Sequence, residues 1–196
     1  MCAPPYRVRR VRADEWRKVR DLRLRALQDP AAAIAFLESR EAASERPEEF
    51  WRERAAGAAA GETASQSVAE TADGNWVGSA TGLLEGPGSD DFEGRPVDHR
   101  QVHVVGVWVA AEYRGQGMVD DLIADVLGWA CASGVARARM YVHAENVRAQ
   151  RAYARCGFRP SGVRFNGEIG EEIEMARGLR TDIVDGPHVV DRSADP

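Results

Sequence analysis

Residues 107–123 read V-W-V-A-A-E-Y-R-G-Q-G-M-V-D-D-L-I, and this stretch decides how the chain is read. An apolar strand ends near Val109, and a turn carrying Gly115 and Gly117 follows. From Met118 the apolar residues recur at helical spacing: Leu122, Ile123, Val126, Leu127, Ala130 and Cys131, until Gly134 ends the pattern. A strand, a glycine turn and a helix N-terminus in that order offer free amides to an anion, and glycine lets backbone approach it closely. Two phosphate motifs do not fit. A dinucleotide fingerprint needs a third glycine where Asp120 stands, and a P-loop needs Gly-Lys-Ser/Thr, which the chain lacks. Alone, the stretch is equally an ordinary strand-to-helix turn.

Upstream, residues 6–12 partly alternate and suit a first strand. Asp14 is placed to cap a helix whose apolar side is Trp16, Val19, Leu22 and Ala26, with Pro30 at its end. Residues 31–46 read as an irregular, partly helical connection. Pro47 suits a first helical position, with Phe50, Trp51 and Ala55 on the inner side. Residues 55–67, AAGAAAGETASQS, read as a frayed helix end and a loop. A short strand at 67–70, a D-G turn and a partner strand at 76–85 follow. Residues 86–100 are rich in Gly, Pro and Asp and read as loop.

Residues 102–109, VHVVGVWV, are the clearest strand, and Gly106 inside it suggests a bulge or a close backbone approach. A strand at 138–143 comes after the helix. Asn146 then caps a helix with Ala149, Ala152, Tyr153 and Cys156 inside and Gly157 at its end. Strands near 158–165 and 171–176 complete the order. The fold class is α/β: one mixed, mostly antiparallel central sheet flanked by helices. Residues 1–180 form the domain and 181–196 a polar tail.

Composition sets further bounds. The chain has 196 residues, enough for one domain with a sizeable core. A net charge of −5 argues against nucleic acid as the main partner. No apolar run reaches membrane-spanning length and the first residues hold no apolar signal core, so the expectation is a cytoplasmic protein with no membrane partner. Lys18 is the lone lysine, and an arginine- and alanine-rich chain of this kind is expected of a GC-rich bacterial genome. Cys2, Cys131 and Cys156 have no metal spacing and read as reduced thiols; no metal is expected.

Residues 146–158 read N-V-R-A-Q-R-A-Y-A-R-C-G-F. RGQG after VWV, followed by N-x-x-A-x-x-x-Y-x-x-x-G-F, resembles the GNAT N-acetyltransferase superfamily. The match in order and spacing covers residues 102–165, and LRLRALQDP, the W-R-E-R helix and NWVGSATG extend it more weakly upstream. The resemblance implies acetyl-CoA as co-substrate, bound where two parallel strands, 102–109 and 138–143, splay apart. Backbone groups of Val107, Trp108 and Val109 would pair with the pantetheine arm, and the Val109 amide would face the thioester oxygen. Amides of Gly115, Gln116, Gly117, Met118 and Val119 would hold the pyrophosphate, with Arg114 at the rim. Asn146 would cap its helix and touch the cofactor arm. Tyr153 would be the general acid for the departing thiolate.

The general base stays open among Glu85, His103, His143, Glu145 and a relaying water. Tyr141 stands where some relatives carry glutamate. Phe36, Glu38, Glu41 and Glu45 suggest an acidic, partly apolar wall for a cationic amine. The acceptor is an amine of a small molecule or a peptide, and dimers are common among relatives, so a homodimer is an open expectation. Val119, Asp120 and Asp121 depart from the family's pattern and set acid beside the expected phosphate. A catalytically weak acyl-CoA-binding sensor or scaffold with the same fold is therefore the alternative.

Overall fold

The computed structural model describes residues 5–179, so the tail expected over 181–196 lies outside the described residues. The elements follow in the order β1 (Tyr6–Arg10), α1 (Trp16–Ala26), α2 (Arg40–Glu45), α3 (Glu48–Ala60), β2 (Ala64–Thr71), β3 (Trp76–Glu85), β4 (Gln101–Val109), α4 (Met118–Ala132), β5 (Arg137–His143), α5 (Val147–Arg155), β6 (Arg159–Gly167) and β7 (Gly170–Gly178). They build one seven-stranded sheet in the order β1-β2-β3-β4-β5-β7-β6. Every neighbouring pair is antiparallel except β4 with β5.

The helices pack on the sheet because alternate strand residues point to opposite faces. On one face, α4 buries Met118, Leu122, Ile123 and Val126 against Val102, Val104, Ala138 and Met140. Gly82 lets it approach: a Cβ there would stand 2.8 Å from Trp129 and Val126 and 3.0 Å from Val102. On the other face, α1 and α3 cover the β2 and β3 end with Trp16, Val19, Leu22, Trp51 and Val68. The rest of that face, over β4, β5 and β7, carries polar side chains. The loop 86–100 reaches across it.

Four local expectations are corrected. The helix α3 runs through the alanine stretch to Ala60 and ends at Gly61 with φ +72°, so residues 55–60 are helix rather than frayed end. Alanine has the best helix propensity, and Ala55 and Ala58 are buried. The strand β2 spans Ala64–Thr71, longer than expected. Its Ser65, Gln66 and Ser67 are polar yet buried, which hides the strand from a hydrophobicity reading. The N-cap of α1 is Glu15 rather than Asp14 and makes no side-chain cap bond; both acids lie in a preceding 3-10 turn, Ala13–Glu15, which the Glu15 carboxylate caps by accepting the Arg12 amide at 2.9 Å. Pro47 sits one residue before α3. The bulge expected at Gly106 is present: φ is +61°, and the β3–β4 register shifts between Ser79 and Thr81.

Candidate active site

The parallel ladder between β4 and β5 is short. It joins Val102 to Ala138 and His103 to Arg139, then stops. Beyond that point β4 keeps only its β3 partner, up to Gly78–Val109. β5 keeps only β7, up to His143–Glu172. The two facing edges therefore diverge with backbone groups unpaired on that side, which a ligand or solvent must satisfy. Into this gap opens a cavity of about 960 Å³, at the upper end for small-molecule sites. Val107, Trp108, Val109, Arg114, Gly115, Gly117, Met118, Val119, Asn146 and Tyr153 all line it. Gln116 is exposed beside it, with its side-chain amide on the Glu112 carbonyl at 3.1 Å.

The glycine turn has the geometry the sequence suggests. Gly115 (φ +76°) and Gly117 (φ +85°) adopt a conformation costly for other residues, and a Cβ at either would meet nothing within 4 Å. The amides of residues 115–119 bond to no other described residue. They stand at the N-terminus of the fifteen-residue α4, where the helix dipole favours an anion. The acids that follow turn away from the turn. Asp120 accepts the Cys156 thiol at 3.3 Å and faces Arg155 at 3.5 Å. Asp121 accepts the Tyr6 hydroxyl at 2.8 Å. Val119 is half-buried against the α4 core.

Arg114 points elsewhere. Its Nε donates to the Val109 carbonyl at 2.9 Å and its guanidinium pairs with Asp29, which also accepts the Trp108 indole N–H at 3.1 Å. This ties the loop after α1 to the end of β4. Burial alone would push Asp29 up, but the Ala31 amide, Trp108 and Arg114 hold its carboxyl below the usual range.

Asn146 caps α5, its side-chain oxygen accepting the Ala149 amide at 3.1 Å. Tyr153 lies on the inner side of α5, and its hydroxyl bonds to no described residue. Burial, and next Cys156, push its pKa up to about 12. Cys156 itself is pushed up to about 12, by burial first and Asp120 second. It is a thiol at neutral pH and not a nucleophile.

The proposed bases separate by position. His103 is wholly buried at the last paired step of the ladder, with Nδ1 2.8 Å from Glu85 Oε1 and Nε2 without a partner. Burial pushes its pKa down against the pull of Glu85. Burial alone would push Glu85 up, but His103 and Arg139 hold it down. Arg139 also binds Asp91 at 2.9 Å, so its guanidinium already occupies the space between the two carboxylates of the Glu85, Asp91 and His103 cluster. Asp91 anchors the loop 86–100, accepting the Glu93 and Arg95 amides and the Tyr141 hydroxyl. His103 is four residues below His143 along the parallel direction, roughly 13 Å at the strand rise. His143 accepts the Glu145 amide on Nδ1 at 3.1 Å.

A residue outside the sequence candidates stands at the right level. Glu172 pairs with His143 across β5 and β7, lines the cavity, is 5% exposed, and has Oε2 without a partner. Burial first, and the Glu93 charge second, push its pKa up to about 7. The expected acidic wall is not there. Glu38 is neutralised by Arg23 (3.3 Å) and Arg46 (3.2 Å), and Glu41 and Glu45 are exposed outside the cavity.

A parallel pair that splays over a glycine turn defines the class. The profile of the acetyltransferase (GNAT) family matches residues 16–158. The chain belongs to that family and is an acyltransferase. Solved structures with the same fold include a phosphinothricin acetyltransferase from Sinorhizobium meliloti in complex with AcCoA (16% identity, 95% of each chain covered, TM-score 0.67). The GNAT domain of S. lividans PAT is 13% identical, with 89% of this chain and 90% of that one covered and a TM-score of 0.69. Spermidine N-acetyltransferase from Vibrio cholerae, in complex with CoA and spermine, is 17% identical, with 89% and 96% covered and a TM-score of 0.62. No curated protein matches the sequence. Among the described residues no helix is long and apolar enough to cross a membrane.

Proposed function

We propose that the protein transfers the acetyl group of acetyl-CoA to a primary amine by direct attack, with Tyr153 as general acid and Glu172 as general base. The observation that carries this reading is one cavity that joins three parts: the unpaired β4 and β5 edges, the free amides of the glycine turn, and the Tyr153 hydroxyl. Acetyl-CoA supplies the thioester. Val107, Trp108 and Val109 lie along its pantetheine arm, and the amides of Gly115 to Val119 hold its pyrophosphate.

The incoming ammonium gives a proton to Glu172, whose raised pKa suits a base near neutrality. The amine nitrogen then bonds to the carbonyl carbon, releases its second proton to solvent, and the carbon–sulfur bond breaks. Tyr153 protonates the departing thiolate and recovers its proton from solvent. Its raised pKa keeps the phenol protonated across the working range. Asp120 and Asp121 face away from the turn, which removes the main argument for a binding-only relative.

Calorimetry with acetyl-CoA and thiol release with an amine panel test the reading. Binding below millimolar and turnover of an amine are expected. Tyr153→Phe should lower kcat by about 10²-fold with CoA affinity kept. No binding at millimolar acetyl-CoA would end the proposal, and unchanged turnover in the variant would end the acid assignment.

A further inference from the structure

The flank of the cavity opposite Glu172 holds positive charge that the transfer steps do not use. Arg23 on α1 and Arg54 on α3 line it, and both also border a small adjoining pocket whose floor is made by Gln66, Ser79, Thr81 and Gly106. Arg23 shares one Glu38 oxygen through two N–H groups at 3.3 Å each, and Arg46 takes the other oxygen. Arg54 pairs with no carboxylate among the described residues. Three guanidiniums thus stand around one carboxylate. Arg54 is an exposed residue that also lines the cavity. Within the cavity, loss of solvation and then the neighbouring Arg23 charge hold its pKa below the ordinary value. Like charges converging on a concave surface are costly unless an anion lies between them.

The floor supplies matching donors. Gln66 is 6% exposed, and its side-chain amide bonds to no described residue. Thr81 is also 6% exposed as a residue, while Ser79 donates to the Gly106 carbonyl at 3.3 Å. Gly106 directly precedes Val107 on β4, so this pocket adjoins the strand segment given to the pantetheine arm.

We propose that the acceptor is an amine that also carries an anionic group, a carboxylate or a phosphonate, received by Arg54 and Arg23 over Gln66 and Thr81. This rests on the acetyl-transfer reading and reverses the sequence expectation of a wall selective for cations. The glutamate flank takes the proton from nitrogen while the arginine flank holds the acid group.

Calorimetry on the CoA-loaded full chain tests it with matched pairs: α-amino acids against their carboxamides, and 2-aminoethylphosphonate against ethanolamine. The anionic members should bind at least about tenfold tighter, in the range of a charge-assisted hydrogen bond. The stronger of the two arms identifies the anion. Arg54→Gln should remove the preference, Arg54→Lys should keep part of it, and CoA affinity should not change in either. Equal binding of the neutral members, no binding by any member, or a preference that survives Arg54→Gln would overturn the proposal. Turnover of the same pairs separates the two readings. Anions that bind without any amine being acetylated leave this site standing and remove the transfer reading. Amides acetylated as fast as acids do the reverse.

Discussion

The two faces of β4, β5 and β7 are made from the same strands and do opposite work. Toward α4, Val102, Val104, Ala138, Met140, Val142 and Met175 are all under 5% exposed and wholly apolar. Toward the cleft, the alternate residues Gln101, His103, Arg139, His143, Glu172 and Glu174 are nearly as buried and wholly polar. Burial alone therefore does not mark the core. The apolar face has no polar group to satisfy. The polar face is held by a network centred on Arg139, which binds Glu85, Asp91, Tyr141 and Glu174. The atoms the network leaves unpaired, His103 Nε2 and Glu172 Oε2, belong to residues that line the cavity. A buried polar atom left free is costly and calls for a functional account.

The difference can be broken from either side. The largest expected effect is on the polar face. Glu172→Gln should lower kcat/KM by about 10³-fold and abolish a rise of kcat/KM with pH centred near 7. In the parent protein no alkaline fall from Tyr153 is expected below about pH 11. A stability signature accompanies it. The folded pKa of Glu172 lies above its ordinary 4.5, so the folded state holds the proton longer than the unfolded chain does. The stabilisation is full below about 4.5, is lost as pH rises toward about 7, and then levels off. Denaturant titrations of Glu172→Gln should lack that decline. A rise in kcat/KM that persists in the variant would return the base to His143 or water.

On the apolar face the effects fall on stability and not on turnover. Leu122 is fully buried beneath β3 and β4, and Leu122→Ala should cost about 3 kcal/mol, read by urea denaturation. Gly82→Ala should cost about 2 kcal/mol, because the new methyl overlaps Trp129 and Val126. If either substitution changed kcat more than stability, the division of labour between the faces would be wrong.

Much of the site was legible from residue spacing. The strand ending in VWV, the turn at Gly115 and Gly117, the cap at Asn146 and the inward Tyr153 all stand where the pattern put them. The loop 86–100 was legible as loop but not as an anchored one, since its anchor is Asp91 on the distant Arg139 and Tyr141. Glu172 was not legible. In EEIEMA the glutamates look alike. Which one faces a cavity depends on β7 lying beside β5 with the His143–Glu172 register. The acidic wall was misread because a glutamate's charge counts only with its neighbours. Glu38 is already shared by Arg23 and Arg46.

The sequence by itself determined the glycine turn, the Asn146 cap and the helix faces. These follow from torsion preferences and from periods of two and 3.6, which act between residues close along the chain. Tertiary structure alone decided the electrostatics. It turned Asp120 toward Cys156 and Asp121 toward Tyr6, left Glu172 unpaired near Glu93, and set Arg54 beside Arg23. Charge interactions and desolvation act through space, and the partners that settle them come from segments far apart in the chain.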